Sequence, residues 1–257
     1  MLKNIFQNSG LKNGDKVLVS ANTRNFLIKN RKNFNFAVNS IIDMLIETVG
    51  KSGTIILPAF NWDFCRGVEF HYKKTSSHSG ALGKVALDRK DFIRSKNPIY
   101  SFIACGKDSN LISELKHESC FGLDSPLGYL LKNKGKNLFL DLDYKEGGFV
   151  LIHVAEQSAK VSYRFHKNFT GFYTGKDHKR IKSTYSMYVR DPKSRVLTTF
   201  VHKDFDEVLK SSNAMTNTFT DGFNINIIDM KKAYDLLVED MKKKGNLTYT
   251  THDEKQN

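Results

Sequence analysis

Short apolar runs alternate with helical patterns along the N-terminal part of the chain. The runs Lys16–Asn22 and Thr54–Phe60 have the length of buried strands, and between them apolar residues recur at helical spacing from Phe34 to Val49. Gly50 supplies a stop for that helix. A strand, a helix and a strand in this order are typical of parallel pairing through a right-handed crossover. The pattern predicts an α/β fold with a largely parallel central sheet flanked by helices.

Further strands and helices are predicted between residues 80 and 160. They continue the alternation of strand and helix that an α/β sheet needs. The expected strands are Ser101–Gly106 and Asn137–Asp143. The expected helices are Gly80–Leu87, Asn110–Glu118 with Asn110 as its cap, a helix that begins at Ser125 and Pro126, and Phe149–Ala159.

The C-terminal part has a different character. Tyr185–Arg190 and Arg195–His202 alternate like half-buried strands joined by a turn at 191–194, which predicts an antiparallel hairpin. Asp229–Lys244 has an amphipathic helical pattern, and Thr248–Asn257 is polar. We therefore expect a single domain over residues 1–257. Its parts would be a core over 10–175, a hairpin lobe and closing helix over 176–247, and a flexible tail over 248–257.

The charge balance indicates an anionic partner. The chain has 257 residues, with 40 Lys and Arg against 27 Asp and Glu, and a net charge of +13. No helix-turn-helix, zinc-finger or RRM signature accompanies the basic residues, so a nucleic acid polymer is not expected. Small phosphorylated ligands such as coenzyme A or a nucleotide sugar fit the charge as well.

Several protein classes are excluded by motifs that the sequence lacks. No apolar run approaches the roughly 20 residues that span a bilayer, and residues 1–10 are not apolar enough for a signal peptide. Cys65, Cys105 and Cys120 lack the paired spacing of disulfide frameworks or zinc sites. GxGxxG, phosphate-loop, HExxH and GxSxG motifs are also absent. We expect a cytoplasmic protein without a membrane span or a metal.

His153 and Glu156 are the first candidates for chemistry. Residues three apart on a helix share a face, with roughly 5–6 Å between their Cβ atoms. A carboxylate beside an imidazole raises its basicity and fixes its tautomer, which suits a general base near neutral pH. A structural helix that carries a histidine and a glutamate has the same pattern.

Two other segments carry candidate groups. In Thr75–Leu82, hydroxyl side chains lead into Gly80 at an expected helix start, where hydroxyls and backbone N–H groups can bind a phosphate or a carbonyl. Ordinary N-capping gives the same pattern. Cys120 is either an acyl-accepting nucleophile or a buried, inert cysteine.

Five segments together resemble motifs of the aminoglycoside 3-N-acetyltransferase family. In chain order they are Leu57–Phe64 (LPTFTxxF in the family), Thr75–Leu82 (TPSxxGAL), Arg94–Ser101 (RSxHPxHS), Phe121–Pro126 (FGExSP) and Ile152–Glu156 (LHxAE). The resemblance runs collinearly over residues 10–175. In addition, Tyr163-Arg164 and Phe169–Gly171 are similar to a YRxxKxFTG stretch of relatives from surface-polysaccharide genes.

The resemblance implies an acyl-CoA-dependent N-acyltransferase with an α/β fold, which moves the acyl group directly from the thioester to an amine. It implies that His153 is the general base and that Glu156 orients it. Coenzyme A would be the co-substrate, with Ser77 near its arm. The residues expected to contact coenzyme A or the reacting carbonyl are Ser20, Asn22, Arg24, Ser77, Ser79, Gly80 and Ser101.

The acceptor is expected to meet aromatic and charged side chains. These are Trp62, Asp63, Tyr72, Tyr100, Tyr163 and Arg164. The basic balance and the resemblance at Tyr163-Arg164 favour an anionic acceptor, the amine of a dTDP-linked amino sugar for O-antigen or capsule synthesis. The group transferred would be acetyl or a short hydroxyacyl such as 3-hydroxybutyryl. Aminoglycoside 3-N-acetylation is one alternative, and a non-catalytic domain that binds nucleic acid or an acidic partner is another.

Four residues depart from the family motifs. Asn97 and Tyr100 stand at the two histidines of HPxHS, Leu123 stands at the glutamate of FGExSP, and Asp141 stands where a glycine is expected after a strand. These positions are expected to face the substrate, so the departures disfavour a standard aminoglycoside as the acceptor. They leave His153 and Glu156 unchanged.

Overall fold

The computed structural model describes residues 4–30, 33–194, 196–197, 203–243 and 250–251. Its strands are β1 (Lys16–Ala21), β2 (Thr54–Pro58), β3 (Phe70–His71), β4 (Ile93–Arg94), β5 (Phe102–Gly106), β6 (Lys136–Leu140), β7 (Arg164–Thr174), β8 (Arg180–Arg190), β9 (Val196–Leu197), β10 (Met215–Thr220), β11 (Phe223–Asp229) and β12 (Thr250–Thr251). Its α-helices are α1 (Arg24–Asn30), α2 (Phe34–Val49), α3 (Ala81–Ala86), α4 (Ser109–Glu114), α5 (Pro126–Lys132), α6 (Leu151–Ala159), α7 (Lys203–Ser211) and α8 (Met230–Lys243). No helix within these ranges has the length and apolarity to cross a membrane.

Seven strands form the central sheet, in the order β10-β11-β6-β1-β2-β5-β4. β1 pairs in parallel with both β2 and β6. On one side of this parallel centre, β5 pairs antiparallel with β2, and β4 pairs antiparallel with β5. On the other side, β11 pairs antiparallel with β6, and β10 pairs antiparallel with β11. Five of the seven strands therefore point in one direction, and only β5 and β11 oppose them. The predicted α/β fold with a largely parallel central sheet is confirmed.

Helices cover both faces of this sheet. Because successive strand residues point to opposite faces, Leu18 belongs to one apolar cluster and its neighbours Val17 and Val19 belong to the other. The first cluster includes residues of α5, α6 and α8, and the second includes residues of α2 and α3. Burial on both sides explains why the central strands appear in the sequence as continuous apolar runs.

Two helix ends form as predicted. Gly50 ends α2 with a positive φ of 62°, and its N–H donates to the carbonyl of Ile46. Ser125 caps α5 by accepting a hydrogen bond from the Gly128 N–H, and Pro126 occupies the start of that helix, where a missing N–H does no harm. The closing helix is also present, as α8.

The prediction for α4 is wrong at both ends. The helix begins at Ser109 and ends at Glu114, so it is shorter than the predicted Asn110–Glu118. Asn110 lies within its first turn, and the preceding residue, Asp108, makes no side-chain cap bond. Asp108 accepts a hydrogen bond from the Tyr129 hydroxyl instead, at 2.6 Å.

The predicted hairpin of Tyr185–Arg190 with Arg195–His202 is also wrong. Tyr185–Arg190 is the C-terminal part of β8, and its antiparallel partner is β7, which precedes it. The turn at 191–194 is present, with the Ser194 N–H donating to the Asp191 carbonyl at 3.0 Å. It leads into β9, which pairs with β12. Residues 195 and 198–202 lie outside the described residues.

A separate sheet of β3, β7 and β8 supplies the predicted antiparallel part, but at other positions. The β7–β8 pair crosses the expected boundary at 175/176, and β11, beyond that boundary, joins β6 in the central sheet. The division into a core over 10–175 and a lobe over 176–247 therefore does not follow the strand pairing. Of the expected tail, residues 250–251 form β12, and the rest lies outside the described residues.

Gly83 sets how closely α3 packs on β2. A Cβ at this position would lie 2.0 Å from the Pro58 carbonyl oxygen. We expect Gly83→Ala to lower the free energy of unfolding by about 1–3 kcal/mol, because the backbone must shift to relieve the overlap. Gly147→Ala is the control, since a Cβ there meets nothing within 4 Å. Urea denaturation measures both variants, and equal stabilities would contradict this packing.

Candidate active site

His153 and Glu156 meet on α6. The Nδ1 atom of His153 lies 2.8 Å from Oε2 of Glu156. Because a carboxylate only accepts hydrogen bonds, Nδ1 carries the shared hydrogen, and a neutral ring then has its lone pair on Nε2. The structure thus brings the two side chains together as their spacing predicts, in the arrangement that a histidine base needs.

Glu156 is buried and held by two further residues. Its side chain is 1% exposed, the Tyr163 hydroxyl donates to Oε1 at 3.1 Å, and Nε of Arg164 makes an ion-pair contact with Oε2 at 2.8 Å. That contact is not aligned as a hydrogen bond, and Arg164 donates from Nη1 to the Tyr188 carbonyl. A charge buried this deeply needs such partners. Tyr163 and Arg164, expected at the acceptor, therefore fix Glu156 instead.

The imidazole of His153 is more accessible than its partner. Its side chain is 17% exposed, and its ring packs against Phe121 with 4.9 Å between ring centres. The ring is thus held on one side by an aromatic neighbour without being sealed into the core. Such a position allows proton transfer to and from a bound molecule.

A cleft of about 330 Å³ lies at the carboxyl ends of β1 and β2. We call it the apolar cleft. Its walls are the ends of those strands, residues 79–83, and the side chains or backbone of Phe60, Trp62, Tyr100, Leu142, Gly148 and Val150. Ligands of open α/β sheets commonly bind outside the carboxyl ends of the strands.

Hydrogen bonds fix the wall formed by residues 79–83. The Phe60 N–H donates to the Ser79 hydroxyl oxygen at 2.9 Å, and the His78 N–H donates to the Phe60 carbonyl at 2.7 Å. Beneath this wall, the buried guanidinium of Arg94 donates to the carbonyls of Ala59 and Thr75. Burial lowers the pKa of Arg94 to about 10, so it is still a cation at neutral pH. The segment 75–79 is therefore anchored at both ends to Ala59 and Phe60, which directly follow β2.

A second cavity, of about 780 Å³, lies between the segment after α4 and the strand β8. We call it the polar cavity. Glu118 and Asp124 line it with exposed carboxylates, and Lys96, which also lines it, pairs with Glu114. His117 is buried there, and burial lowers its pKa. Its Nδ1 donates to the Ser119 carbonyl at 2.8 Å, and its Nε2 has no partner among the described residues.

One face of α6 runs from the apolar cleft towards the polar cavity. Val150, just before α6, lines the apolar cleft, and His153 follows three residues later. Gln157, four residues further, accepts a hydrogen bond at 2.8 Å from Ser119, which lines the polar cavity. Residues three and four apart share a helix face. His153 lines neither cavity itself and lies between side chains that border them.

Comparison with known proteins places the chain in a family. The family model described as aminoglycoside 3-N-acetyltransferase matches residues 28–242. The chain belongs to the aminoglycoside 3-N-acetyltransferase family. In chain order, the matched residues include the strands from β2 to β11 and the helix α6, which carries His153 and Glu156.

Members of this N-acetyltransferase family resemble the chain in sequence and in fold. The SPbeta prophage-derived aminoglycoside N(3')-acetyltransferase-like protein YokD of Bacillus subtilis (strain 168) is 28% identical over 57% of this chain and 60% of its own length, so the chain spans 60% of that curated relative. The structure of AAC-IIIb with CoASH has a TM-score of 0.77 at 18% identity, covering 95% of this chain and 96% of that chain. Sisomicin-bound AAC-VIa has a TM-score of 0.74 at 16% identity, covering 94% and 97%.

In this family member, the predicted coenzyme A contacts divide into three groups. Ser20, Ser79 and Gly80 line the apolar cleft. Ser77 and Ser101 are buried beneath it, where their hydroxyls donate to the carbonyls of Ser79 and Ala59. The two remaining residues are exposed and do not line the cleft; they are Asn22 and Arg24. Burial therefore removes two predicted hydroxyls from direct contact with a ligand.

The predicted acceptor residues are dispersed in the structure. Trp62 and Tyr100 line the apolar cleft. Tyr72 donates its hydroxyl to the Arg94 carbonyl, and Asp63 pairs with Arg66 and with His78. Neither Tyr72 nor Asp63 lines the apolar cleft or the polar cavity. Their contacts within the fold explain these residues without a bound sugar.

Two of the departures from the family motifs have structural explanations, and a third has none. Asn97 Oδ1 accepts hydrogen bonds from the N–H groups of Ile99 and Tyr100, so it closes the turn before β5. Asp141 has a left-handed φ of 46°, the conformation that glycine adopts most readily, and its carboxylate accepts from the Asn224 N–H at 2.8 Å. Leu123 is an exposed apolar residue, and nothing in the structure explains it.

Cys120 is inert in this structure. Its side chain is fully buried, and burial raises the pKa of its thiol far above neutral pH. The alternative of an acyl-accepting cysteine is therefore wrong. Among the described side chains, no group of three or more His, Cys, Asp and Glu is arranged to hold a metal ion.

Sequence reasoning missed the polar cavity and the buried role of Arg94. Glu118 and Asp124 lie in irregular segments, and the pairing of Ser119 with Ser186 places the first of these segments beside β8. Arg94 is the last residue of the short strand β4, and an arginine buried there must find several hydrogen-bond acceptors.

Proposed function

We propose that this protein transfers an acyl group from acyl-CoA to an amine of an aminoglycoside-type amino sugar. One observation carries the proposal. The accessible imidazole of His153 is held at 2.8 Å by a carboxylate, Glu156, that is itself buried and fixed by Tyr163 and Arg164. A base oriented in this way is pre-organised for proton transfer.

The chemistry needs one proton acceptor. The amine attacks the thioester carbonyl through its neutral lone pair, and Nε2 of His153 takes a proton from nitrogen as the C–N bond forms. Collapse of the tetrahedral intermediate breaks the C–S bond, and the imidazolium of His153 gives the proton to the leaving thiolate. Such a base contributes roughly 10²–10⁴ to the rate.

The apolar cleft is proposed to bind the acyl-pantetheine end of the donor. Its walls are largely apolar, and one of its lining residues, Val150, lies one helical turn from His153. A relative of the same fold, AAC-IIIb, binds CoASH. The net charge of +13 attracts the phosphates of coenzyme A.

The polar cavity is proposed to bind the acceptor. The carboxylates of Glu118 and Asp124 line it beside Lys116 and Lys96, and Lys96 is paired with Glu114. Carboxylates attract the ammonium groups of a cationic amino sugar. YokD is named as aminoglycoside N(3')-acetyltransferase-like, and AAC-VIa binds sisomicin. The predicted dTDP-linked amino sugar finds no support in these comparisons, so the aminoglycoside alternative becomes the proposal.

We expect acetyl-CoA to raise the Tm in a concentration-dependent way, because a ligand that binds only the folded state stabilises it. We also expect sisomicin, but not a dTDP-linked amino sugar, to stimulate the release of free thiol from acetyl-CoA. A thiol-reactive dye follows that release. Faster thiol release with the nucleotide sugar would favour the dTDP-linked amino sugar as the acceptor. No rise in Tm with acetyl-CoA would contradict acyl-CoA as the donor.

A further inference from the structure

Tyr100 lines the apolar cleft and is connected to the candidate base through one aromatic ring. Its ring packs on Phe121 with 4.7 Å between ring centres, and Phe121 packs on His153 with 4.9 Å. Val150, one turn before His153, lines the same cleft as Tyr100. A thioester bound in this cleft therefore has Tyr100 among the side chains around it.

The other side-chain hydroxyls that line the cleft are committed to the protein. The Ser20 hydroxyl donates to the Gly148 carbonyl at 3.2 Å. The Ser79 hydroxyl oxygen accepts from the Phe60 N–H and shares a hydrogen bond with the Ser77 hydroxyl at 3.0 Å. Since Ser77 donates its own hydrogen to the Ser79 carbonyl, the hydrogen of that shared bond belongs to Ser79.

The hydroxyl of Tyr100 differs from these because it has no acceptor among the residues that the structure describes. Burial raises its pKa to about 12, and the neighbouring Trp62 side chain opposes that rise only in part. The phenol therefore keeps its hydrogen at neutral pH. A phenol has one hydrogen to donate, and an apolar wall makes that donor more effective than it is in water.

We propose that the Tyr100 hydroxyl donates a hydrogen bond to the thioester carbonyl oxygen and stabilises the oxyanion of the tetrahedral intermediate. This inference rests on the proposed acyl transfer. The phenol keeps its hydrogen throughout. The C–N bond forms while His153 takes the proton from the amine, the C–S bond breaks on collapse, and the imidazolium returns the proton to the thiolate.

Tyr100→Phe tests the inference, because it removes one oxygen and keeps the packing on Phe121. We expect kcat to fall about 100-fold, the loss typical of one oxyanion donor, with KM for acetyl-CoA little changed. The fold decrease in kcat should be the same for sisomicin and for a second amine, because the oxyanion forms on the carbonyl oxygen of the acyl donor. A loss confined to KM for one amine would make Tyr100 an acceptor contact and overturn the proposal.

Tyr129→Phe is the matched control. The hydroxyl of Tyr129, on α5, donates to Asp108, and Tyr129 does not line the apolar cleft. We expect this variant to keep its kcat. An equal fall in kcat for both variants would show that loss of any tyrosine hydroxyl disturbs the fold, and would contradict a specific role for Tyr100.

A spectroscopic measurement separates this inference from the acyl transfer itself. The infrared stretch of acetyl-CoA labelled with ¹³C at its carbonyl is recorded on the wild type and on Tyr100→Phe without any amine. We expect a lower frequency on the wild type, because a hydrogen bond weakens the C=O bond. Equal frequencies on both proteins would overturn the role of Tyr100, whereas failure of acetyl-CoA to bind either protein would overturn the proposed function.

Discussion

Replacing His153 with alanine is expected to lower kcat by about 10²–10⁴-fold, while acetyl-CoA still raises the Tm of the variant. The imidazole is 17% exposed and lines neither cavity, so its removal leaves the apolar cleft intact. The amine then lacks a group that takes its proton as the C–N bond forms. Release of free thiol measures the rate, and thermal melts with and without acetyl-CoA measure donor binding.

His166→Ala is the matched control for this experiment. His166 is an exposed histidine on β7, where its ring contacts Tyr188, and it lies outside both cavities. We expect it to keep the wild-type rate. If His153→Ala transferred acetyl groups as fast as this control, the assignment of the base would be wrong. If the Tm of His153→Ala no longer responded to acetyl-CoA, the imidazole would act in binding instead.

The central part of the fold was predictable because its signals are local. The helix α2 repeats apolar residues at 3.6 spacing over 16 residues and ends at Gly50, so pattern and stop signal agree. The strands β1, β2 and β6 are short apolar runs because both faces of the sheet are covered by helices. In these segments the residues needed for packing are the same residues that give the pattern.

The strands outside that centre were missed for different reasons. β7 exposes most of its residues on both faces, so its apolar and polar positions do not alternate. The β10–β11 hairpin turns at Asp221-Gly222, and both residues have positive φ. An Asp-Gly pair between alternating strands is a strong hairpin signal, so this element could have been predicted from the sequence.

The candidate site was predictable only where one helix carries it. His153 and Glu156 are three residues apart, so helical geometry alone places them together. Arg164 and Tyr163 lie after that helix, and only the chain reversal at Lys160, which has a left-handed φ, returns them to Glu156. The polar cavity joins segments more than 60 residues apart in sequence, such as Ser119 and Ser186. Such contacts depend on tertiary packing, which no local pattern encodes.

Replacing Arg164 with leucine is expected to lower the free energy of unfolding by about 3–5 kcal/mol, because it leaves the carboxylate of Glu156 buried without its cationic partner. The side chains are 10% and 1% exposed, so water cannot replace the lost partner. Arg66→Leu is the matched control. Arg66 also pairs with a carboxylate, that of Asp63, but its side chain is 69% exposed, so the loss should stay below about 1 kcal/mol. Urea denaturation compares the two variants.

The double variant Glu156→Gln/Arg164→Leu separates stability from activity. Removing both charges eliminates the unpaired carboxylate, so we expect the double variant to regain most of the stability that Arg164→Leu loses. Its acyl transfer should stay low, because Nδ1 of His153 then faces a neutral amide, which orients the ring without stabilising the imidazolium. A double variant as active as the wild type would mean that the charge of Glu156 does not assist His153. A double variant no more stable than Arg164→Leu would mean that Arg164 contributes packing rather than a counter-charge.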